Sequence, residues 1–390
     1  MKLLHTSDWH LGARLRGVDR TGDQLARVRE VLAYTREREV HLLLVAGDVV
    51  DEHRASHLDG VLGELAEVLR PELERGLRAV FVAGNHDRDH LFPLLNGVQR
   101  LVGAEAAGQV VFCDQPSVRR VVAANGEALQ LLLLPYPTQD RYGLQALDVA
   151  DGAERRRQLA DAVRRSIREL SEEVRGSADP TVVAGHFLVR GFGRDGHELS
   201  EADDVPLESA DLPAFAYVAL GHIHQALHLG VPSVRYSGSI ERMDFGEAGD
   251  EKSAVLVEVG PRGLVGEPEL LPLRATRLVR IEAAAGEPLE ARAREAGDLD
   301  GAIVALRLRV ERGQSTLAAQ LEARRLFSRL CQPIDLDVTA PAAGGAETRT
   351  AYDRRDVAGT VRRFLAAELD GDPDRDDLLA LAERLLEPRR

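Results

Sequence analysis

Short continuous apolar runs alternate with longer amphipathic stretches through the first two-thirds of the chain. HLLLVA (41–46), RAVFVA (78–83), LQLLLLP (129–135), TVVA (181–184) and AYVAL (216–220) are of strand length with little polar alternation. Such runs predict buried strands. Residues 24–39 place Leu25, Val28, Leu32 and Thr35 on one face of a helix. Residues 154–175 do the same with Leu159, Val163, Ile167 and Leu170. Strands interleaved with amphipathic helices predict α/β organisation.

The texture changes near residue 272. RLVRIEA, 287–296, IVALRLRV, 316–330 and IDLDV then follow as β-α-β-α-β, the pattern of a small separate α+β domain spanning 276–338. A Pro/Gly/Ala-rich linker comes next, TAPAAGGAET at 339–348. Two short helices are expected after it. Val357, Val361, Phe364 and Leu365 mark the first; the second opens at Asp372-Pro373 and continues through Leu378, Leu381 and Leu385. Two such helices cannot bury their apolar faces against each other alone, so they must pack on the body or on a partner.

A chain of 390 residues with 44% hydrophobic and 29% charged residues can build two or three domains. It has no apolar run near the roughly 18 residues of a spanning helix and no basic-then-apolar leader, so a soluble, cytoplasmic protein with no membrane association is expected. Cys113 and Cys331 lie far apart in sequence, which argues against both a disulfide framework and a thiolate zinc site. Both read as buried small hydrophobes. The net charge of −14 argues mildly against a nucleic-acid partner. Bound divalent cations would add local positive charge that the formal count omits.

Candidate chemistry follows the strands. HTSDWHLG (5–12) places Asp8 and His10 two residues apart after the apolar start Leu3-Leu4; alone, that pair does not distinguish a metal site from a polar turn. Four further clusters change the picture. AGDVVD brings Asp48 and Asp51, AGNHD brings Asn85, His86 and Asp87, AGH brings His186, and LGHIH brings His222 and His224. Each reads as strand, glycine, then ligand type, and in open α/β sheets such strand ends converge on one crevice. Carboxylates, imidazoles and one amide oxygen without thiolate suit borderline-to-hard divalent ions, in number enough for two. Two ions about 3.5–4 Å apart can clamp a phosphate and activate water, while a histidine outside the metal shell protonates the leaving oxygen. His5, His41, His53, His57, His90, His197 and His228 read instead as core or surface residues. Arg14, Arg16, Arg20, Arg190 and Arg194 fit phosphate contacts or solvated loops equally well.

Taken in order, SDWHLG, GDVVD, GNHD, GH and GHIH resemble the five motifs of the calcineurin-like metallophosphoesterases. LHTSDWHLG and YSGSIERMDFGE (236–247) are similar to signatures of the SbcD-type DNA exonuclease subunits, bacterial relatives of the double-strand-break repair nuclease. The resemblance implies an α/β fold of two stacked β-sheets flanked by helices, a four-layer metallophosphoesterase sandwich. It also implies a small α+β cap domain and a C-terminal helical segment. The domains would be the nuclease at 1–272, the DNA-facing cap at 273–340, and at 341–390 a linker with helices that dock on the ATPase partner. Carried over by motif, Asp8, His10 and His224 would hold one ion and Asn85, His186 and His222 the other, with Asp48 bridging. His86 would be the general acid, oriented by Asp51. The cofactors would be two divalent metal ions, manganese favoured. The partners would be DNA ends, hairpins and single strands, the SbcC-type coiled-coil ATPase, and a second copy within a heterotetramer. The implied activity is 3′→5′ exonuclease on double-stranded ends and endonuclease on single strands or hairpins, in repair, recombination and replication at the nucleoid. Where the family often carries an aromatic, this chain has Val50.

The chain has no G-x-x-x-x-G-K-[ST] loop, so any ATP dependence must come from another chain. The competing catalytic reading is a small-molecule or phosphoprotein phosphoesterase using the same metals; the appended α+β domain and helical tail favour a macromolecular substrate. The competing non-catalytic reading is a scaffold that lost its site, against which stands the complete ligand set.

Overall fold

The computed structural model describes residues 1–51, 55–102, 109–144, 152–190, 205, 207–212, 215–311 and 314–339, with single positions 362, 365, 375 and 379. Two compact units are present, Met1–Val338 and Thr339–Arg390. In the second unit, Thr339 ends a strand and the four single positions are helical. The tail positions singled out above, Val357, Val361, Phe364, Asp372, Pro373, Leu378, Leu381 and Leu385, lie outside the described residues, as does Arg194.

Two sheets form the body of the first unit. In one, the strands run in the order Gly263–Leu264, Lys252–Gly260, Lys2–Thr6, Leu42–Ala46, Arg78–Val82 and Val110–Cys113, with Glu269–Leu273 also paired to Lys252–Gly260. In the other the order is Leu227–Leu229, Val231–Tyr236, Tyr217–Gly221, Thr181–His186, Ala128–Leu134 and Ser117–Val122. The strands that end in ligand motifs run parallel within each sheet: Lys2–Thr6 with Leu42–Ala46, that strand with Arg78–Val82, and Thr181–His186 with Tyr217–Gly221.

Side-chain alternation explains the four layers. Along Leu42–Ala46, Leu42 and Leu44 point between the sheets, where they meet Leu129, Leu131, Leu133, Val182 and Ala219. Leu43 and Val45 point the other way, against Leu25, Val28 and Leu32 of the helix Thr21–Glu37 and Leu65 and Leu69 of the helix Ala55–Glu74. On the far side, Leu132, Leu134, Val183 and Val218 pack on Val163 and Ile167 of the helix Gly152–Glu173. Both faces of these strands are therefore apolar, which is why the runs lack polar alternation. The expected sandwich of two sheets between helical layers is present.

Residues beyond 276 build their own three-stranded sheet, Leu278–Ala284, Ile303–Glu311 and Asp335–Thr339, with the helices Leu289–Glu295 and Leu317–Leu326. Ala283, Leu289, Leu306, Leu308, Ala323 and Phe327 form their own cluster. Its ties to the body are polar as well as apolar. Arg16, on the loop after the first motif, donates to Asp335 Oδ2 at 2.8 Å, and Arg329 pairs with Asp23. Arg20 is not a loop cation. It is 1% exposed, donates to Asp23 Oδ2 at 2.9 Å and to the Arg242 carbonyl at 2.6 Å, and lies 3.4 Å from the buried Glu241. A buried guanidinium keeps its charge only with such partners, so Arg20 serves packing and not phosphate. Cys113 and Cys331 are free and buried, and no helix among the described residues is long and apolar enough to cross a membrane.

Phe81 sits at the centre of the helix-facing core, edge-on to Trp9 at 5.8 Å and stacked on Phe112 at 5.2 Å between ring centroids. Phe81→Ala is expected to cost about 3–5 kcal/mol, read as a lowered urea midpoint; a change under about 1 kcal/mol would contradict this packing.

Candidate metal centre

The motif loops are built side by side at the carboxyl ends of the strands. Loop 7–12 pairs through its backbone with loop 47–51: Asp8 N donates to Gly47 O, His10 N to Asp48 O, and Asp51 N to Leu11 O, each at 2.9 Å. Positive φ angles turn the side chains inward at Asp8 (+52°), His10 (+46°), Asp48 (+52°) and His222 (+96°). L-residues enter this region at a cost, and it clusters where surrounding structure enforces it. Glycine is required beside them. A Cβ on Gly47 would fall 2.0 Å from His186 Nδ1, and one on Gly84 would fall 2.0 Å from Asp48 Oδ1.

Every expected site residue is brought together. Asp48 Oδ2 lies 3.7 Å from His10 Nε2 and 3.3 Å from His186 Nε2. His186 Nε2 is also 3.0 Å from Asn85 Oδ1, which is 3.2 Å from His222 Nδ1. His224 Nε2 is 3.2 Å from His10 Nε2 and 3.8 Å from Asp8 Oδ1. His86 hydrogen-bonds through Nδ1 to Asp51 Oδ1 at 2.8 Å, and its ring stands edge-on to His10 at 4.7 Å. Asp8, His10 and His224; His10, Asp48 and His86; and Asp8, Asp48 and His186 each offer ligand atoms within 4.8 Å of one another.

Tautomers identify the kind of group the centre fits. His186 Nδ1 donates to the Ala46 carbonyl at 2.8 Å, so a neutral His186 turns the lone pair of Nε2 toward the oxygens of Asn85 and Asp48. His224 Nδ1 likewise donates to Glu247 Oε1 at 2.8 Å, so its Nε2 lone pair faces His10. His10 Nδ1 is buried without a hydrogen-bond partner. Acceptors aimed at acceptors in a buried site repel unless a proton or a metal cation lies between them. The donor set therefore fits divalent metal ions.

Protons compete with a metal for the same lone pairs. Burial disfavours a charged His186, but the Asp48 carboxylate outweighs it and pushes the pKa up to about 9. Burial likewise opposes charge on Asp48, yet the imidazoles around it, His186 foremost, hold its carboxyl well below the usual range. His10, by contrast, is pushed down to about 4 by burial. His86 is raised by its hydrogen bond to Asp51. His5 stays outside the site: buried, bonded to the Tyr217 hydroxyl at 3.0 Å and the Leu220 carbonyl at 3.2 Å, and pushed down to about 3 by burial. It is a core histidine.

Two buttressing carboxylates were not assigned from sequence. Asp87, 1% exposed, accepts from Gly84 N at 2.8 Å and from Val49 N and Val50 N at 3.0 Å, clamping two ligand loops to each other. It is the last residue of the GNHD cluster, which was the only signal for it. Glu247 closes YSGSIERMDFGE and supports His224 from a distance of 23 residues in sequence. Val50 adjoins an apolar recess of about 300 Å³ shared with Val49, Phe81, Phe92 and Phe112, so the smaller residue leaves space beside the loop without disturbing a ligand. Arg14 pairs with Asp19 at 3.2 Å on the surface.

A model of the family described as calcineurin-like phosphoesterase matches residues 1–226. The chain is 29% identical over 293 residues to the SbcD component of nuclease SbcCD from Bacillus subtilis, covering 73% of each chain. Proteins of the same name from Rhodobacter capsulatus and Staphylococcus epidermidis are 28% identical over 313 residues (74% of this chain, 73% of theirs) and 24% identical over 294 residues (72% of each). Among solved structures, a dimetal phosphatase from Danio rerio superposes with a TM-score of 0.40 at 14% identity, covering 70% of this chain and 99% of that one.

Gly84→Ala is expected to displace Asp48, because the new Cβ would lie 2.0 Å from its Oδ1 and 2.3 Å from its backbone nitrogen. Calorimetry with Mn²⁺ should then show weakened binding; metal affinity equal to that of the unmodified protein would mean that the loop relaxes freely.

Proposed function

The chain belongs to the calcineurin-like phosphoesterase family and is a metal-dependent phosphoesterase, and from that footing we propose that it is a DNA nuclease subunit of the double-strand-break repair type. One observation carries the choice of DNA. Similarity to the three SbcCD nuclease components runs over 293, 294 and 313 residues, past the 226 residues of the shared catalytic family. A phosphoesterase for small molecules has no need of that additional length. In this reading residues 1–272 are the nuclease domain, 273–340 a cap facing DNA, and 341–390 the linker and docking helices.

Asp8, His10 and His224 would hold one ion and Asn85, His186 and His222 the other, with Asp48 serving both; its Oδ2 lies within 3.7 Å of a nitrogen from each set. Manganese suits carboxylate, imidazole and amide oxygen donors without thiolate. When bound, two such ions neutralise the non-bridging phosphate oxygens and acidify the attacking water. His86 does the remaining chemistry. Its Nδ1–H is held by Asp51 at 2.8 Å, so Nε2–H is the proton it can give to the leaving 3′ oxygen. Its side chain is 40% exposed, within reach of a substrate. The activity is 3′→5′ shortening of double-stranded ends and cutting of single strands and hairpins.

End-labelled linear duplex with Mn²⁺ is the direct test: the label pattern should recede from 3′ ends. Turnover of a small phosphodiester with no action on DNA would favour the small-substrate reading. His86→Asn should lower cleavage by about 10²–10⁴-fold while calorimetry still counts two ions; loss of an ion would make His86 a ligand instead. Since Asp51 raises the His86 pKa, and a general acid fails once deprotonated, Asp51→Asn should move the alkaline limb of kcat to lower pH. An unmoved limb would remove this pairing from the mechanism.

The partners are an SbcC-type ATPase, docked through the tail, and a second copy of the chain. Supporting the latter, Leu94, Val98 and Leu101 are 62%, 52% and 86% exposed on one stripe of the helix Leu91–Val102. A stripe of that kind marks an interaction face. Light scattering of the chain should give a dimer that Leu101→Asp turns into a monomer, and deletion of 351–390 should abolish pull-down of the ATPase. A monomeric unmodified protein, or an unchanged pull-down, would remove the respective partner. With DNA as substrate, the protein acts in the cytoplasm at the nucleoid.

A further inference from the structure

The signature YSGSIERMDFGE, which holds none of the ligands, ends in a short turn that the mechanism above does not use. Residues Phe245–Glu247 form one turn of 3₁₀ helix, opened by Asp244, whose carboxylate accepts from Gly246 N. Its two ends face different parts of the molecule.

Glu247 faces the metal centre. Its Oε1 accepts from His224 Nδ1 at 2.8 Å. Its Oε2 accepts from Met243 N at 3.0 Å and from Lys252 Nζ at 2.6 Å. The ammonium of Lys252 is 1% exposed and also donates to His224 O at 2.9 Å and to Ser239 Oγ at 3.0 Å. Thus the carboxylate is fixed from one side by an ammonium, while that ammonium holds the backbone of the histidine which the carboxylate orients. A buried lysine without a carboxylate would be costly, and each of these three groups needs the other two.

Phe245 faces the other way. It packs with Leu15, Leu278, Ile303 and Cys331, at the junction of the first-motif loop and the three-stranded sheet, and Arg280 of that sheet lies 5.4 Å over its ring.

We propose that this turn is a positioning element for the metal centre: Glu247 fixes His224 as the Nδ1–H tautomer with Nε2 aimed at the metal, and Phe245 anchors Glu247 to the three-stranded sheet. The proposal rests on His224 being a metal ligand, as argued under the proposed function. Carboxylates behind ligating histidines set ring orientation and raise ligand basicity, and their removal typically costs 10–100-fold in metal affinity. Here the effect falls on the ion held by Asp8, His10 and His224, because Glu247 touches none of Asn85, His186 and His222 in the contacts described. Metal occupancy would thereby depend on where the three-stranded sheet sits.

Calorimetric titration of the full chain with Mn²⁺ tests this without reference to turnover. The unmodified protein should bind two ions. Glu247→Ala should weaken one of them by about 10–100-fold and leave the other, and Phe245→Ala should weaken the same ion by less. Unchanged affinities in Glu247→Ala would overturn the role of Glu247; unchanged affinities in Phe245→Ala would overturn the anchoring. An unmodified protein that binds no metal would instead sink the two-metal reading on which both depend. Should Glu247→Ala fail to fold, ring ¹⁵N shifts of the metal-free unmodified protein, at a pH where His224 is neutral, decide the matter. A protonated Nδ1 and bare Nε2 at His224 are expected, and the reverse tautomer would overturn the proposal. A loss caused by general destabilisation would not move that signature.

Discussion

Lone pairs aimed at one another govern this molecule. The Nε2 atoms of His186, His10 and His224 and the oxygens of Asp48, Asn85 and Asp8 crowd within 3.0–3.8 Å, so only a proton or a cation between them relieves their repulsion. In water such groups would drift apart. In a site where Asp8, Asp48 and His186 are buried, they stay together only because the backbone carrying them is held elsewhere. A divalent ion turns that repulsion into coordination, so the chemistry of the family and the architecture of the chain meet in one electrostatic requirement.

The holding is done by layers. Parallel strands buried on both faces end at one edge, and their apolar packing offsets the left-handed backbone at Asp8, His10, Asp48 and His222, each costing about 1–3 kcal/mol. Backbone pairing of loop 7–12 with loop 47–51 then sets the spacing between motifs that lie some forty residues apart. Arg141 adds a further brace: 5% exposed, it donates to the Gly84 carbonyl at 2.7 Å and to the Asp87 carbonyl, fastening the His86 loop to the turn after Ala128–Leu134.

Outside this shell, three further carboxylates divide the work. Asp87 binds backbone amides and holds loops; Asp51 binds His86 and raises its pKa; Glu247 binds His224 and fixes a tautomer. Burial, with the Asp48 charge adding to it, pushes Asp87 up to about 6, and its amide partners oppose the rise. For Glu247 burial opposes ionisation, but His224 and Lys252 prevail and hold it down to about 2. Three residues of one chemical type thus acquire different roles from their partners alone.

Much of this was legible before any coordinates. Apolar periodicity placed the strands and the helix faces, since a run such as Leu42–Ala46 must bury both sides wherever it goes. Motif order supplied the ligand types. Composition could not say that Arg20 is buried, because its partners Glu241 and the Arg242 carbonyl lie more than two hundred residues away. Nor could it say that Asp87, an acid at the end of a cluster, faces a ring of amides from two loops. Residue type and local face follow from neighbours in the chain, and those the sequence determined. Which nitrogen carries a proton, as at His186 against the carbonyl of Ala46, follows from a partner 140 residues distant. Only the tertiary structure decides that, because a lone pair's direction is set by contacts that the linear order does not contain.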